Sequence, residues 1–323
     1  MKAYPIKFTP ILKERIWGGE KLIHTFKKQS NKKNIGESWE ISDVKGDVSV
    51  VENGFLAGQS LKELITTYKG DFVGNKVYKQ FGNDFPILIK FIDAKTPLSI
   101  QVHPSNELAK ERHNSFGKNE MWYVMDVDND GELIVGFNKT VTKQEYIEHV
   151  NNGTVLDILN AEKVEPGDTF YIPTGRVHAI GAGTVIAEIQ QTSDITYRIY
   201  DYDRVDATTG KQRELHTDLA IDAINYNVAD QYKTTYNLAE NQSSTLVHSP
   251  YFNTNIIQLT NKVTKDYSQL DSFVIYMCVE GSFSLECNGD VITVNKGETI
   301  LLPATTEQIH VDSKKAVILE VSL

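Results

Sequence analysis

Two cysteines in 323 residues, Cys278 and Cys287, are too few for a disulfide framework, and both fall in apolar runs that read as strands. No apolar stretch approaches the roughly 20 residues needed to cross a bilayer. The start, Met1-Lys2-Ala3-Tyr4-Pro5, carries no apolar leader. A cytoplasmic protein without membrane contact is therefore expected. Basic charge is also short. The 33 Lys and Arg face 43 Asp and Glu, a net charge of −10, the wrong sign for a nucleic-acid face. An anionic small molecule is still admissible, because a few local cations decide what a pocket accepts. Otherwise the composition is that of a globular protein, 40% hydrophobic and 24% charged, and the length is ample for a large core.

The patterning is mostly β, with helices inserted early. Gly36-Glu37-Ser38-Trp39-Glu40-Ile41-Ser42 reads as a strand with Glu37, Trp39 and Ile41 on one face. Phe85 to Ile92 is a buried strand carrying one lysine, Lys90. Ser60 with Glu63, and Thr142 with Glu145, have the spacing of capping boxes and predict helix starts. Asn106 to His113 and Leu215 to Tyr226 read as further helices. The polar stretch Gln231 to Ser249 marks a boundary, dividing the chain into residues 1–235 and 236–323. Beyond it, short β runs at 273–279, 282–287, 291–294, 299–302 and 316–321 predict a sandwich or barrel.

Two stretches carry chemistry. In Ser99-Ile100-Gln101-Val102-His103-Pro104, strand alternation puts Gln101 and His103 on one face, and Pro104 ends the strand behind them. Glu120 opens a buried strand, and Gly167 to His178 is an apolar segment closed by a turn and a histidine. Gln101, His103, Glu120 and His178, each near a strand end, are four plausible ligands for one divalent metal. The remaining histidines, His24, His113, His149, His216, His248 and His310, are read as structural.

The Gly-x5-Pro-x-Gly-x2-His pattern at Gly167, Pro173, Gly175 and His178 resembles the second motif of the cupin jelly roll, or double-stranded β-helix. A faded echo at Gly297 to Pro303, without a histidine, implies tandem cupin barrels of which only the first binds metal. Pro97 to Pro104 is similar to the signature of type I mannose-6-phosphate isomerases (phosphomannose isomerases). Arg15-Ile16-Trp17-Gly18-Gly19, Lys118-x-Glu120, His178-Ala179 and Gln191-Thr192-Ser193-Asp194 followed by Arg198 match in order. That resemblance makes Gln101, His103, Glu120 and His178 the ligands of one zinc ion per chain, and Arg198 the catalytic arginine. It places Lys90, Lys118, Glu188 and Asp194 on the pocket; Trp17, beside the glycine pair Gly18-Gly19, reads as a packed turn or as a further, substrate-binding pocket wall. The chain departs from longer members in lacking a large helical insertion between Glu120 and Gly167. It also reads Gly175-Arg176-Val177-His178 where many have Gly-Glu-Pro-His. Both features suit the compact bacterial form.

The chemistry agrees with the resemblance. An oxygen-and-nitrogen donor set without cysteine suits catalytic zinc, and one carboxylate leaves the centre positive enough to act as a Lewis acid. Aldose–ketose isomerisation of mannose 6-phosphate to fructose 6-phosphate, through an enediol or enediolate, needs that charge and a fixed cation such as Arg198. It also needs a base to carry a proton between C1 and C2, for which Glu188, Asp194 and Lys118 qualify. Lys118 or Arg198 is suited to the phosphate. The expected partner is a small phosphosugar, with the chain a monomer or small homo-oligomer. The competing readings are a redox-metal cupin dioxygenase, disfavoured by an amide ligand, and a non-catalytic zinc cupin that binds phosphosugars.

Overall fold

The computed structural model describes residues 1–128, 130–206 and 209–323. The architecture is mainly β. A six-stranded sheet runs in the order Ile11–Gly19, Ile35–Ile41, Ile87–Ala94, Thr184–Gln191, Glu120–Val127, Thr169–Ile172. A five-stranded sheet runs in the order Tyr197–Tyr200, Ile100–Val102, His178–Ile180, Glu132–Phe137, Leu159–Lys163. Apolar side chains of both sheets meet between them: Ile92, Trp122 and Ile186 from the first, Leu133, Val135 and Ile180 from the second.

The six-stranded sheet is covered on both faces, which is why its strands read as unbroken apolar runs. In Ile87–Ala94, Ile87, Ile89 and Phe91 point outward, while Ile92 and Ala94 point inward. Lys90 therefore shares the inward face. Thr184–Gln191 repeats the pattern, with Val185, Ala187 and Ile189 outward and Glu188 inward beside Ile186. One departure from simple alternation occurs in Ile35–Ile41. Trp39 pairs with Lys90, but the next pair is Ile41 with Ile89, so a bulge at Glu40 turns Ile41 to the outer core. The expectation that Ile41 shares a face with Glu37 and Trp39 fails for that reason.

Both expected capping boxes are present, Ser60 with Glu63 and Thr142 with Glu145. The helix expected over 215–226 is shorter, Thr217–Ala223. With Asn106–His113 and Lys143–Asn151, it lies against the outer face of the five-stranded sheet, over Ile100, Val102, Tyr197 and Ile199. No helix among the described residues is long and apolar enough to cross a membrane.

An eight-stranded sheet follows from Ser243–His248 to Ala316–Ser322. The runs expected at 273–279 and 282–287 are one strand, Val274–Cys287, which carries both free cysteines and bends through a register shift at Cys278/Glu280. Phe273, Ile275, Met277 and Leu319 of this barrel join Ile89, Phe91, Met121 and Ala187 in one apolar cluster. Ile6 pairs with Leu301, so the start of the chain lies on the C-terminal barrel. Inside that barrel Glu320 accepts hydrogen bonds from Ser243 (2.6 Å), Asn255 (3.0 Å) and Tyr267, and pairs with Lys265 at 2.9 Å.

Burial pushes the Glu320 carboxyl up, but Lys265 and these donors outweigh it and hold it below the usual range. Its stabilising contribution is present above the unfolded carboxylate pKa and is lost as pH falls through the depressed folded value. Glu320→Ala, which removes the carboxylate partner of Lys265 and of the buried Tyr267 hydroxyl, is expected to cost about 3 kcal/mol in thermal or urea unfolding at pH 7. That cost should shrink in acid. A loss below about 0.5 kcal/mol would show that the network contributes nothing net.

Candidate active site and metal centre

Between the two sheets lies a cleft of about 450 Å³. Its floor is made by strand ends. His178 pairs in register with Gln101, and Ile172, the last residue of Thr169–Ile172, pairs with Glu120. Gln190 also pairs with Glu120, and Arg198 with Gln101. A positive φ of 85° at Gly175 makes the turn before His178, where a Cβ would come within 2.9 Å of Ala223 O. The Gly175 N–H donates to His103 O at 3.0 Å, tying the two histidine segments together. Arg176, at the unusual position of this motif, reaches Tyr171 O at 2.9 Å and stacks over Tyr232, and does not line the cleft.

His103, Glu120 and His178 bring their ligand atoms within 4.8 Å of one another, and all three are at most 1% exposed. His103 Nδ1 lies 2.9 Å from Ile195 O, and His178 Nδ1 lies 2.8 Å from Arg176 O. Each Nδ1 therefore carries the proton, and both Nε2 lone pairs point inward, 3.1 Å apart. Two lone pairs at that distance are placed to share one cation. The surroundings agree: Glu120 Oε1 is buried without a hydrogen-bond donor. The Lys118 ammonium bonds Glu120 Oε2 and sits 3.0 Å from His103 Nε2, supplying positive charge from one side. Gln101 Nε2 is 3.3 Å from His178 Nε2, and a half-turn of the amide presents its oxygen instead. The residues fit a divalent ion.

Burial pushes the His103 imidazole down to about 3, helped by Lys118, and it also lowers His178, so both are neutral at pH 7. Burial would lower Lys118, but Glu120 and Glu188 hold it up as an ammonium. Glu188 is raised by burial and then by Glu120. It receives Trp122 Nε1 at 2.9 Å and lies 3.2 Å from Lys90 Nζ.

Seven of the ten residues expected at the site line this cleft, and the other three, His103, Glu120 and His178, contact its lining residues Gln101 and Lys118. Trp17, Lys90, Gln101, Lys118, Glu188, Asp194 and Arg198 line it, with Asp194 exposed at its rim. Lys90 is buried, with its ammonium 5.1 Å above the Trp39 ring, on the cleft wall. Among the lining groups without a role in the sequence reading are Glu37, Arg15 and Arg213. Glu37 takes a two-pronged bond from Arg15 (3.1 and 3.0 Å) and Trp39 Nε1 at 2.6 Å. Burial would raise it, but Lys90 and Arg15 hold it down at about 2. Glu37 shares a strand face with Trp39, a signal that was available; Arg15 and Arg213 sit outside any ligand pattern.

Replacing His178 or His103 by Ala is expected to cut the divalent metal retained after desalting by about tenfold or more. Metal analysis beside circular dichroism checks this. A variant that keeps its metal removes the residue from the ligand set.

Comparison with known proteins gives one family throughout. A family model described as the type I phosphomannose isomerase catalytic domain matches residues 6–146, and one for the mannose-6-phosphate isomerase cupin domain matches 242–321. The mannose-6-phosphate isomerase ManA of Bacillus subtilis is 37% identical over 94% of both chains. A mannose-6-phosphate isomerase of Streptococcus mutans is 33% identical over 98% of both. A crystal structure of the mannose 6-phosphate isomerase from Bacillus subtilis superposes with a TM-score of 0.89 at 32% identity, covering 99% of each chain. With a cupin fold of that likeness and matches along nearly its whole length, the chain belongs to the type I phosphomannose isomerase family.

Proposed function

We propose that this chain interconverts D-mannose 6-phosphate and D-fructose 6-phosphate in the cleft, using one zinc ion held by Gln101, His103, Glu120 and His178. The observation that carries the reading is the inward pair of neutral imidazole lone pairs beside the buried Glu120 carboxylate. Relatives similar over nearly the full length are named for this isomerisation. Zinc suits a nitrogen-and-oxygen set without thiolate, and it would polarise the sugar's oxygens as a Lewis acid.

The remaining chemistry falls to side chains. Isomerisation breaks the C2–H bond, and its electron pair forms a C1–C2 double bond while negative charge collects on the C1 oxygen. The proton of the C2 hydroxyl then passes to the C1 oxygen as C2 becomes the carbonyl, and the carried proton bonds C1. Among the three bases open to the sequence reading, Lys118 is held protonated by its carboxylate neighbours. Asp194 lies at the solvent-exposed rim. Glu188 is the group we assign to proton transfer: a buried carboxyl of raised pKa, oriented by Trp122 Nε1. Arg198, lying across the strand pair from Gln101, sets a permanent positive charge beside the developing oxyanion. In this reading residues 1–235 hold all the chemistry, and residues 236–323 support the outer face of the catalytic sheet.

A coupled assay with mannose 6-phosphate tests the proposal. Chelation is expected to remove turnover and added zinc to restore it. Absence of turnover in zinc-loaded, folded protein would refute it. Arg198→Ala should lower kcat about 10²- to 10³-fold with metal content retained. Glu188→Gln should lose at least about 10²-fold with little change in KM. Full activity in Glu188→Gln would move the base elsewhere.

A further inference from the structure

Beside Arg198 the cleft holds a partly exposed arginine, Arg213, to which the isomerase reading gives no task. Arg198, Arg204 and Arg213 gather around one carboxylate, Asp201, itself 5% exposed. Asp201 Oδ2 accepts Arg213 Nε at 2.8 Å, and Oδ1 is shared by Arg213 Nη2 and Arg204 Nη2. Arg204 spends its other arm on Pro97 O and does not line the cleft. Arg198 and Arg213 both line it. Arg198 gives Nη1 to Glu214 O at 2.7 Å, and its Nε is buried without a partner. Arg213 Nη1 has no hydrogen bond among the described residues.

Two guanidiniums with open donors therefore face one cavity, and the carboxylate of Asp201, behind its wall, is bonded to Arg213. After burial, Arg213 is the largest influence lowering Arg198, which places the two charges close enough to repel. Most acids on the same walls are committed elsewhere. Glu14 pairs with Lys32, Glu37 with Arg15 and Glu188 with Lys90, while Asp206 takes the Thr209 N–H. Asp194 is exposed at the rim. A phosphoryl group, with close to two negative charges and three acceptor oxygens, satisfies both the repulsion and the open donors.

The segment carrying Arg213 also sets Arg198. His216 Nδ1 accepts the Arg198 N–H at 3.1 Å, and the His216 N–H donates to Arg198 O at 2.7 Å. Residues 213–216 thus fix Arg198 across from the ligand Gln101 and hold Arg213, 23% exposed, towards the mouth. Resting on the isomerase reading, we propose that Arg213, aimed by Asp201, grips the phosphoryl group of the substrate and sets its preference for phosphorylated sugars. Arg198 remains at the reacting end. Arg204 is a positioning residue that steadies Asp201.

The test uses the full zinc-loaded chain as wild type, Arg213→Gln and Arg213→Lys. KM and kcat are measured with mannose 6-phosphate, and inorganic phosphate is the competitive probe. Loss of one charge-assisted fork is expected to raise KM and the phosphate inhibition constant about tenfold or more, with kcat within about threefold. Arg213→Lys, which keeps the charge without the fork, should fall between. If Arg213→Gln does not fold, the intermediate rise expected for Arg213→Lys carries the test. KM and phosphate inhibition both within about twofold of wild type would overturn the proposal, as would a loss confined to kcat. Wild-type protein that binds phosphate without isomerising would instead overturn the reaction, and the phosphate-binding comparison would still decide Arg213.

Discussion

A buried carboxylate facing two inward imidazole lone pairs cannot persist in a dry site without positive charge, and the arrangement of the catalytic half answers that demand. Glu120, His103 and His178 sit on the floor of a seam between two sheets, where removing an ion from water costs several kcal/mol. Lys118 supplies one cation from the side, and the ligand set is shaped to take another. The same rule of local neutralisation continues up the walls. Lys90 faces Glu188, Arg15 faces Glu37, and two arginines share Asp201. Each charge is placed by the partner that makes its burial tolerable.

Such a seam needs rigid walls, and these come from packing behind them. The outer face of the catalytic sheet is pressed on the C-terminal barrel through Ile89, Phe91 and Ala187 on one side and Ile275, Met277 and Leu319 on the other. The polar heart of that barrel is closed on itself around Glu320, with hydroxyl, amide and ammonium donors filling the carboxylate's acceptor sites. Its burial is affordable only because every acceptor is met. The one His/Glu cluster suited to an ion among the described residues lies in the other half.

Much of this was legible because it depends on short-range periodicity. A period of two sets Gln101 with His103 and places Lys90 and Glu188 on one face of apolar strands. Fixed three-residue spacing gives the caps at Ser60 and Thr142. Where a local irregularity intervenes, periodicity misleads. The bulge at Glu40 turns Ile41 into the outer core, and a bend near Cys278 runs two expected strands together. Arg213 was invisible for another reason. It lies in a loop with no repeating pattern, and its meaning comes from Asp201 twelve residues earlier in the chain.

The sequence by itself determined the family, the mainly β character and the identity of the ligand-type residues, because these rest on residue chemistry and on spacing within single strands. Only the tertiary structure decided which donors converge, which imidazole nitrogen faces inward and which carboxyl has its pKa raised. Those properties arise between strands distant in sequence. They depend on backbone carbonyls such as Ile195 O and Arg176 O, and on water being excluded from the space the two sheets enclose.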